Sequence, residues 1–255
     1  MSELKLAISN IAWDKADDEA VYAAMQQNGF TGLEIAPTRI FPEYPYENLT
    51  GAALFGGYLL NRWGFHVPSM QSIWYGQTGN IFDPVQAEEL LDYTAEAFQF
   101  AHTINCPSLV FGCPTNTAAE GDAFFAKAGA LASHYDVVLA IEANPPVYTN
   151  YLNNTADAFA MVKRLQSPGL AVNLDLSTMI SNGERLRDFV DDIKYVSHVH
   201  ISEPGLEPIV PRQEHKELAM LLKAVGYSGD VSIEMKRTDV ETVRKTLAYI
   251  AEVFA

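Results

Sequence analysis

Four polar residues in the second half of the chain end short apolar runs. Glu142 closes Leu139-Ala140-Ile141-Glu142, Asp175 closes Val172-Asn173-Leu174-Asp175, His200 closes His198-Val199-His200, and Glu234 closes Val231-Ser232-Ile233-Glu234. Their separations of 33, 25 and 34 residues put one on each of four successive strand ends. Three carboxylates and an imidazole meeting at one point form a mixed oxygen and nitrogen donor set for a divalent ion such as Mn²⁺, Mg²⁺ or Co²⁺, with Zn²⁺ as an alternative. Carboxylates crowded together without a cation repel one another and hold protons; a cation turns them into ligands.

Such a site needs elements that bring distant strand ends to one mouth. Short β-branched or apolar runs fall at 4–9, 32–36, 64–68, 108–111, 137–143, 170–175, 195–201 and 230–235, alternating with helical periodicity near 16–28, 51–62, 84–104, 118–134, 155–165, 184–191, 214–225 and 238–254. Asp83-Pro84 starts the third helix, Asn154-Thr155 the fifth, and Thr238-Asp239-Val240-Glu241 opens the eighth in capping-box spacing. Eight alternating units in 255 residues, about 32 residues each, predict a single-domain (β/α)8 TIM barrel over 1–255, with functional groups at the carboxyl ends of the strands. An open doubly wound sheet would show a glycine-rich phosphate turn after an early strand; the first strand instead runs into Asn10-Ile11-Ala12-Trp13. The irregular stretch from Pro37 to Thr50 follows the second strand and is expected to wall the pocket or cover it.

Composition narrows the partners. Apolar residues make up 48% and charged residues 19%, with 17 Lys and Arg against 32 Asp and Glu, a net charge of −15. Such a field disfavours nucleic acid and anionic membrane surfaces. Two cysteines, Cys106 and Cys113, are too few for a disulfide framework, and neither comes with a paired base. The N-terminal residues lack a basic segment followed by an apolar run, so the expected location is cytoplasmic. Association into a homo-oligomer is left open.

The chain resembles the xylose isomerase-like TIM barrels, the sugar isomerase/epimerase group that includes ketose 3-epimerases and hydroxypyruvate isomerases. The residues that carry the resemblance are Gly32-Leu33-Glu34, Phe111-Gly112-Cys113-Pro114, Ile141-Glu142-Ala143-Asn144, Leu174-Asp175, His198-Val199-His200 and the run from Gly226 through Glu234. The resemblance implies a divalent metal held by Glu142, Asp175, His200 and Glu234, and a small sugar or sugar phosphate as substrate. The metal would polarise a carbonyl and its neighbouring hydroxyl, making the adjacent C–H acidic, and Glu142 and Glu234 would serve as the acid/base pair around an enediolate. Proton return to the opposite face gives epimerisation, and return to the neighbouring carbon gives isomerisation; both remain open. Two positions depart from the family pattern. Thr178 stands where many members have a His that contacts substrate, and Leu206 where ketose epimerases commonly have an Arg.

Trp13, Glu34, His66, Gln71, Asn144 and Glu203 lie near strand ends and are the substrate-binding candidates. Each has a plainer alternative in packing or loop capping, and Glu34 has a further one as a partner for a histidine. His198 shares the face of His200 and is expected to be a packed barrel residue. Arg39, Arg212 and Lys236 would contact a phosphate if the substrate carried one, and are otherwise surface residues. Two rival functions are a non-catalytic sugar-binding barrel and an apurinic-site endonuclease-like metal hydrolase. Thr178 and the acidic charge weigh against the latter.

Overall fold

Polar and apolar residues alternate along most of the strands, and that alternation builds the molecule from the inside out. The structure, a computed structural model, describes residues 4–112 and 121–254; Cys113 lies outside them. Eight parallel strands run β1 (Lys5–Ser9), β2 (Gly32–Glu34), β3 (Ser69–Met70), β4 (Ser108–Gly112), β5 (Val138–Glu142), β6 (Leu170–Asp175), β7 (Val196–Ser202) and β8 (Asp230–Glu234). They pair in the order β2-β1-β8-β7-β6-β5-β4-β3, and bridges from Gly32 to His66 and from Ile35 to Met70 close the ring. Ile8, Leu33, Leu109, Ile141, Val172, Leu174, Val199, Ile201, Val231 and Ile233 belong to the main hydrophobic core. The intervening positions carry Ser9, Glu34, Asn173, Asp175, His198, His200, Ser202, Ser232 and Glu234, all buried. The period of two therefore gives most strands an apolar side for the helices and a polar side for the barrel interior.

The surrounding helices are α1 (Asp18–Gln27), α2 (Pro37–Ile40), α3 (Leu49–Tyr58), α4 (Pro84–Thr103), α5 (Asp122–His134), α6 (Thr155–Leu165), α7 (Leu176–Asn182), α8 (Gln213–Val225) and α9 (Val240–Phe254). The Asp83 carboxylate accepts from the amides of Val85 and Gln86, and the Asn154 side chain accepts from Asp157 N, as the capping signals require. At α9 the cap is Asp239, which accepts from Thr242 N at 2.9 Å. Among the described residues no helix is long and apolar enough to cross a membrane.

Two elements differ from the sequence expectation. The third strand was expected at 64–68 but pairs at Ser69–Met70, with an isolated bridge at His66. Pro68 has no N–H to give to a ladder, so regular pairing resumes only after it. The segment at 184–191 was expected to hold the sixth helix. Instead α7 begins immediately after Asp175, which caps it, and Leu186–Tyr195 forms 3₁₀ turns.

The helix layer sits close on the barrel at Gly129 of α5 and Gly169, which precedes β6. A Cβ on Gly169 would lie 2.0 Å from the Gly129 carbonyl oxygen and 2.7 Å from Ser133 N. Both obstacles are backbone, so a side chain there forces α5 away from the sheet. Gly169→Ala is expected to cost about 1–3 kcal/mol, which lowers the melting temperature by roughly 2–4 °C per kcal/mol. An unchanged melting curve would contradict this close approach.

Candidate functional site

At the carboxyl ends of β5 to β8 the alternation directs Glu142, Asp175, His200 and Glu234 inward. One ligand atom from each can be chosen so that all four lie within 4.8 Å of one another, and all four residues are buried or nearly so. His200 Nδ1 is 3.0 Å from Glu142 Oε1 and 3.3 Å from Glu234 Oε2.

The opposite ring nitrogen is committed elsewhere. His200 Nε2 lies 3.0 Å from Glu34 Oε2, with both side chains fully buried. Glu34 also accepts from His198 Nε2 at 2.8 Å and from the Ser69 hydroxyl, while Gln71 Nε2 donates to its other oxygen at 3.3 Å. Loss of hydration pushes the Glu34 carboxyl up, but the charge on His200 and hydrogen bonds from both histidines outweigh it and hold Glu34 well below the usual carboxylate range. An ionised Glu34 is an acceptor only, so it fixes a proton on His200 Nε2 and leaves Nδ1 toward the three other carboxylates. A metal-binding histidine tied through its second nitrogen to a carboxylate has this arrangement.

Without a cation the cluster stores protons. Burial lowers the proton affinity of His200, yet Glu34 and Glu234 more than reverse this and raise it well above the usual imidazole range. Burial pushes Glu234 up to about 7; His200 opposes the rise, and Glu142 and Asp175 add to it. Asp175 is held in place by its surroundings. Its Oδ1 accepts from the Ser202 hydroxyl, and Oδ2 accepts from the Ser177 hydroxyl at 2.7 Å and from Thr178 N at 2.8 Å. Thr178 Oγ1 sits 2.7 Å from Asp175 Oδ2 and 2.9 Å from the Ala143 carbonyl, bracing the strand end and not facing the cavity. Asn173 Nδ2 donates to Glu142 Oε1 at 2.6 Å and lies 3.1 Å from His200 Nδ1.

A cavity of about 340 Å³ opens above these residues, lined by Glu142, Asp175 and Glu234 together with Gln71, Ser72, Asn144, Tyr148, Ser177 and Leu206. Gln71 and Asn144 therefore line this cavity, and Glu34 lies beneath as the partner of His200. The other three substrate-binding candidates are elsewhere. Trp13 is fully buried; its Nε1 donates to Asp18 Oδ1 at 2.8 Å and Arg39 covers its ring, because the 3₁₀ turn Asn10–Ala12 carries it out of the strand end and into the helix layer. His66 is at the amino end of the barrel, where Nε2 meets Asp230 Oδ1, 2.7 Å away at the start of β8. Glu203 follows β7 on the face opposite Ser202 and pairs with Arg212, whose Nε donates to it at 2.7 Å. Asn173, Ser202 and Ser69 were not singled out from the sequence. Asn173 and Ser202 were accessible by counting two residues from Asp175 and His200 along the same face, whereas Ser69 was hidden by the misplaced third strand.

Comparison with known proteins extends the description. The xylose isomerase-like TIM barrel family model matches residues 22–253. Compared by sequence with curated proteins, the chain has no match. Among solved structures, 3-keto-D-glucoside 4-epimerase YcjR from E. coli is 16% identical with a TM-score of 0.79, covering 98% of this chain and 100% of that one. L-ribulose 3-epimerase is 16% identical with a TM-score of 0.77, covering 98% and 94%. The IolI protein with a bound zinc atom is 16% identical with a TM-score of 0.73, covering 98% and 95%. At these identities the likeness establishes the shared barrel. With the family match spanning most of its length, the chain belongs to the xylose isomerase-like TIM barrel family.

Proposed function

We propose that the protein is a metal-dependent sugar isomerase or epimerase that moves a proton on the carbon next to a carbonyl. The observation that carries this reading is the meeting of Glu142, Asp175, Glu234 and His200 Nδ1 beneath one open cavity, with Nε2 of the same histidine tied to Glu34. Three carboxylates and one imidazole are a donor set whose negative charge a divalent cation largely offsets, so the residues fit the metal. The structural neighbours that are sugar epimerases, and the zinc-bound IolI, agree with this reading.

In this reading Glu142, Asp175, His200 and Glu234 hold Mn²⁺, Mg²⁺, Co²⁺ or Zn²⁺. When bound, the ion supplies Lewis acidity toward the carbonyl and hydroxyl oxygens of the sugar. Glu142 and Glu234 come from strands three apart around the barrel and serve as the acid/base pair: one takes the C–H proton and a carboxyl returns it, through an enediolate. Gln71 and Asn144 orient hydroxyls at the cavity wall. Glu34 holds the His200 ring, and the hydroxyl and amide donors around Asp175 fix its direction. The strand-end cations are already paired, Arg39 with Asp18, Arg212 with Glu203 and Lys236 with Glu207. That pairing favours a neutral sugar over a sugar phosphate.

Three outcomes follow from the site. Asp175→Asn is expected to lower bound metal sharply, read by elemental analysis after reconstitution with Mn²⁺; wild-type metal content would remove Asp175 from the ligand set. Glu234→Gln should abolish solvent deuterium incorporation into substrate while the circular dichroism spectrum is kept, and exchange at the wild-type rate would contradict its role. For pH, Glu234 in the metal-free protein has its carboxyl near 7 and His200 is raised well above its usual range. Both must lose a proton to bind a cation, so affinity falls as pH drops through 7, with protons released on binding. Calorimetric titration in buffers of different ionisation enthalpy measures this; a pH-independent affinity between 6 and 8 would count against it.

A further inference from the structure

The cavity above the carboxylates is not the whole recess at the barrel mouth. A second cleft of about 730 Å³ adjoins it, and Ser72 lines both. Its walls come from the segment after β2 (Thr38, Pro42, Tyr44) and the segment after β3 (Tyr75, Gln77), with Arg237 from beyond β8. The inner cavity is already of a size that takes a small ligand, ligand sites running from about 300 to 1,000 Å³. The outer cleft is therefore surplus to a single sugar ring.

We infer that the substrate carries a second, uncharged ring, glycosyl or aryl, and that the outer cleft seats it between the segments bearing Tyr44 and Tyr75. This rests on the sugar reading of the inner cavity. Tyr44 and Tyr75 are 72% and 73% exposed, although a tyrosine ring gains by covering its faces. Rings with an apolar face and a hydroxyl edge suit a sugar or an aromatic group. Thr38, Ser72 and Gln77 add neutral hydrogen-bonding groups. Tyr44 and Ser72 have φ of +48° and +54°, left-handed conformations that cost a non-glycine residue energy and recur where chain is held for binding. An anion is less suited: Arg39 is paired with Asp18 at 2.6 Å, Arg237 Nη1 is 3.3 Å from Asp14, and the chain carries a net charge of −15. If the second ring is joined through the anomeric carbon, the sugar cannot open. The carbonyl then sits on another ring carbon, and proton return to the opposite face of the carbon beside it gives an epimer.

The test uses the Mn²⁺-loaded full chain and equilibrium binding of methyl glycosides, phenyl glycosides and disaccharides in gluco and galacto configurations, with glucose 6-phosphate alongside. The expected result is that a two-ring probe binds about ten-fold tighter than its methyl glycoside. Preference for the disaccharide identifies a glycosyl group, and preference for the phenyl glycoside an aryl group. Tyr44→Ala and Tyr75→Ala, both at exposed positions, should each reduce that ratio by about three-fold. Equal affinities, a ratio insensitive to both substitutions, or tightest binding of the phosphate overturns the inference. Solvent deuterium exchange into free ketoses separates the two levels: exchange without a two-ring preference overturns this inference alone, whereas neither exchange nor binding of any sugar overturns the sugar reading with it.

Discussion

The hydrogen bond between Glu34 and His200 decides what the barrel interior can do. Four carboxylates (Glu34, Glu142, Asp175 and Glu234) share that interior with two imidazoles; Glu34 and both histidines are shielded from bulk water, and the other three border the cavity. Left unpaired, such charges would cost several kcal/mol each in an apolar interior. Glu34 is stabilised as an anion by both histidines, which turns one excess negative charge into a clamp on the His200 ring. Above it, Glu142 and Glu234 share the other ring nitrogen of the same histidine, and Asp175 is held by hydroxyl and amide donors, so three carboxylates face one imidazole.

The rest of the fold serves this arrangement through a simple division of labour along each strand. Outward positions carry Ile, Leu, Val and Phe into the helix layer, and inward positions can then be given to Ser, Asn, His, Asp and Glu. Small polar groups fill the interior around the larger ones: Ser202 and Ser177 on Asp175, Ser69 on Glu34, Asn173 between Glu142 and His200. Thr178 and Leu206 take up a different part in the same plan. At these positions the chain braces Asp175 with the Thr178 hydroxyl and lines the cavity with the aliphatic side chain of Leu206.

The barrel and the four converging residues were legible in the sequence because a parallel barrel delivers every strand's carboxyl end to one mouth; an inward residue ending a clear apolar strand needs no tertiary information to be placed there. Misplacement arose where that logic has no purchase. Pro68 interrupts β3, so His66, read as lying on the third strand, belongs to the amino end of the barrel, beside Asp230. Trp13 follows a strand, but a 3₁₀ turn intervenes and rotates it under Arg39. Glu203 stands an odd number of residues from His200, so alternation sends it to the outer face, where Arg212 receives it. The outer cleft depends on how the segments after β2 and β3 approach each other, a relation with no local signature.

The central claim is that His200, oriented by Glu34, completes a ligand set with Glu142, Asp175 and Glu234. Its most direct test is titration of metal-stripped protein with Mn²⁺ followed by pulsed electron paramagnetic resonance. The account predicts one tightly bound ion per chain with coupling to a single imidazole nitrogen, and loss of that coupling in His200→Gln. Absence of a tight equivalent, or a tightly bound ion with no nitrogen coupling, would contradict it.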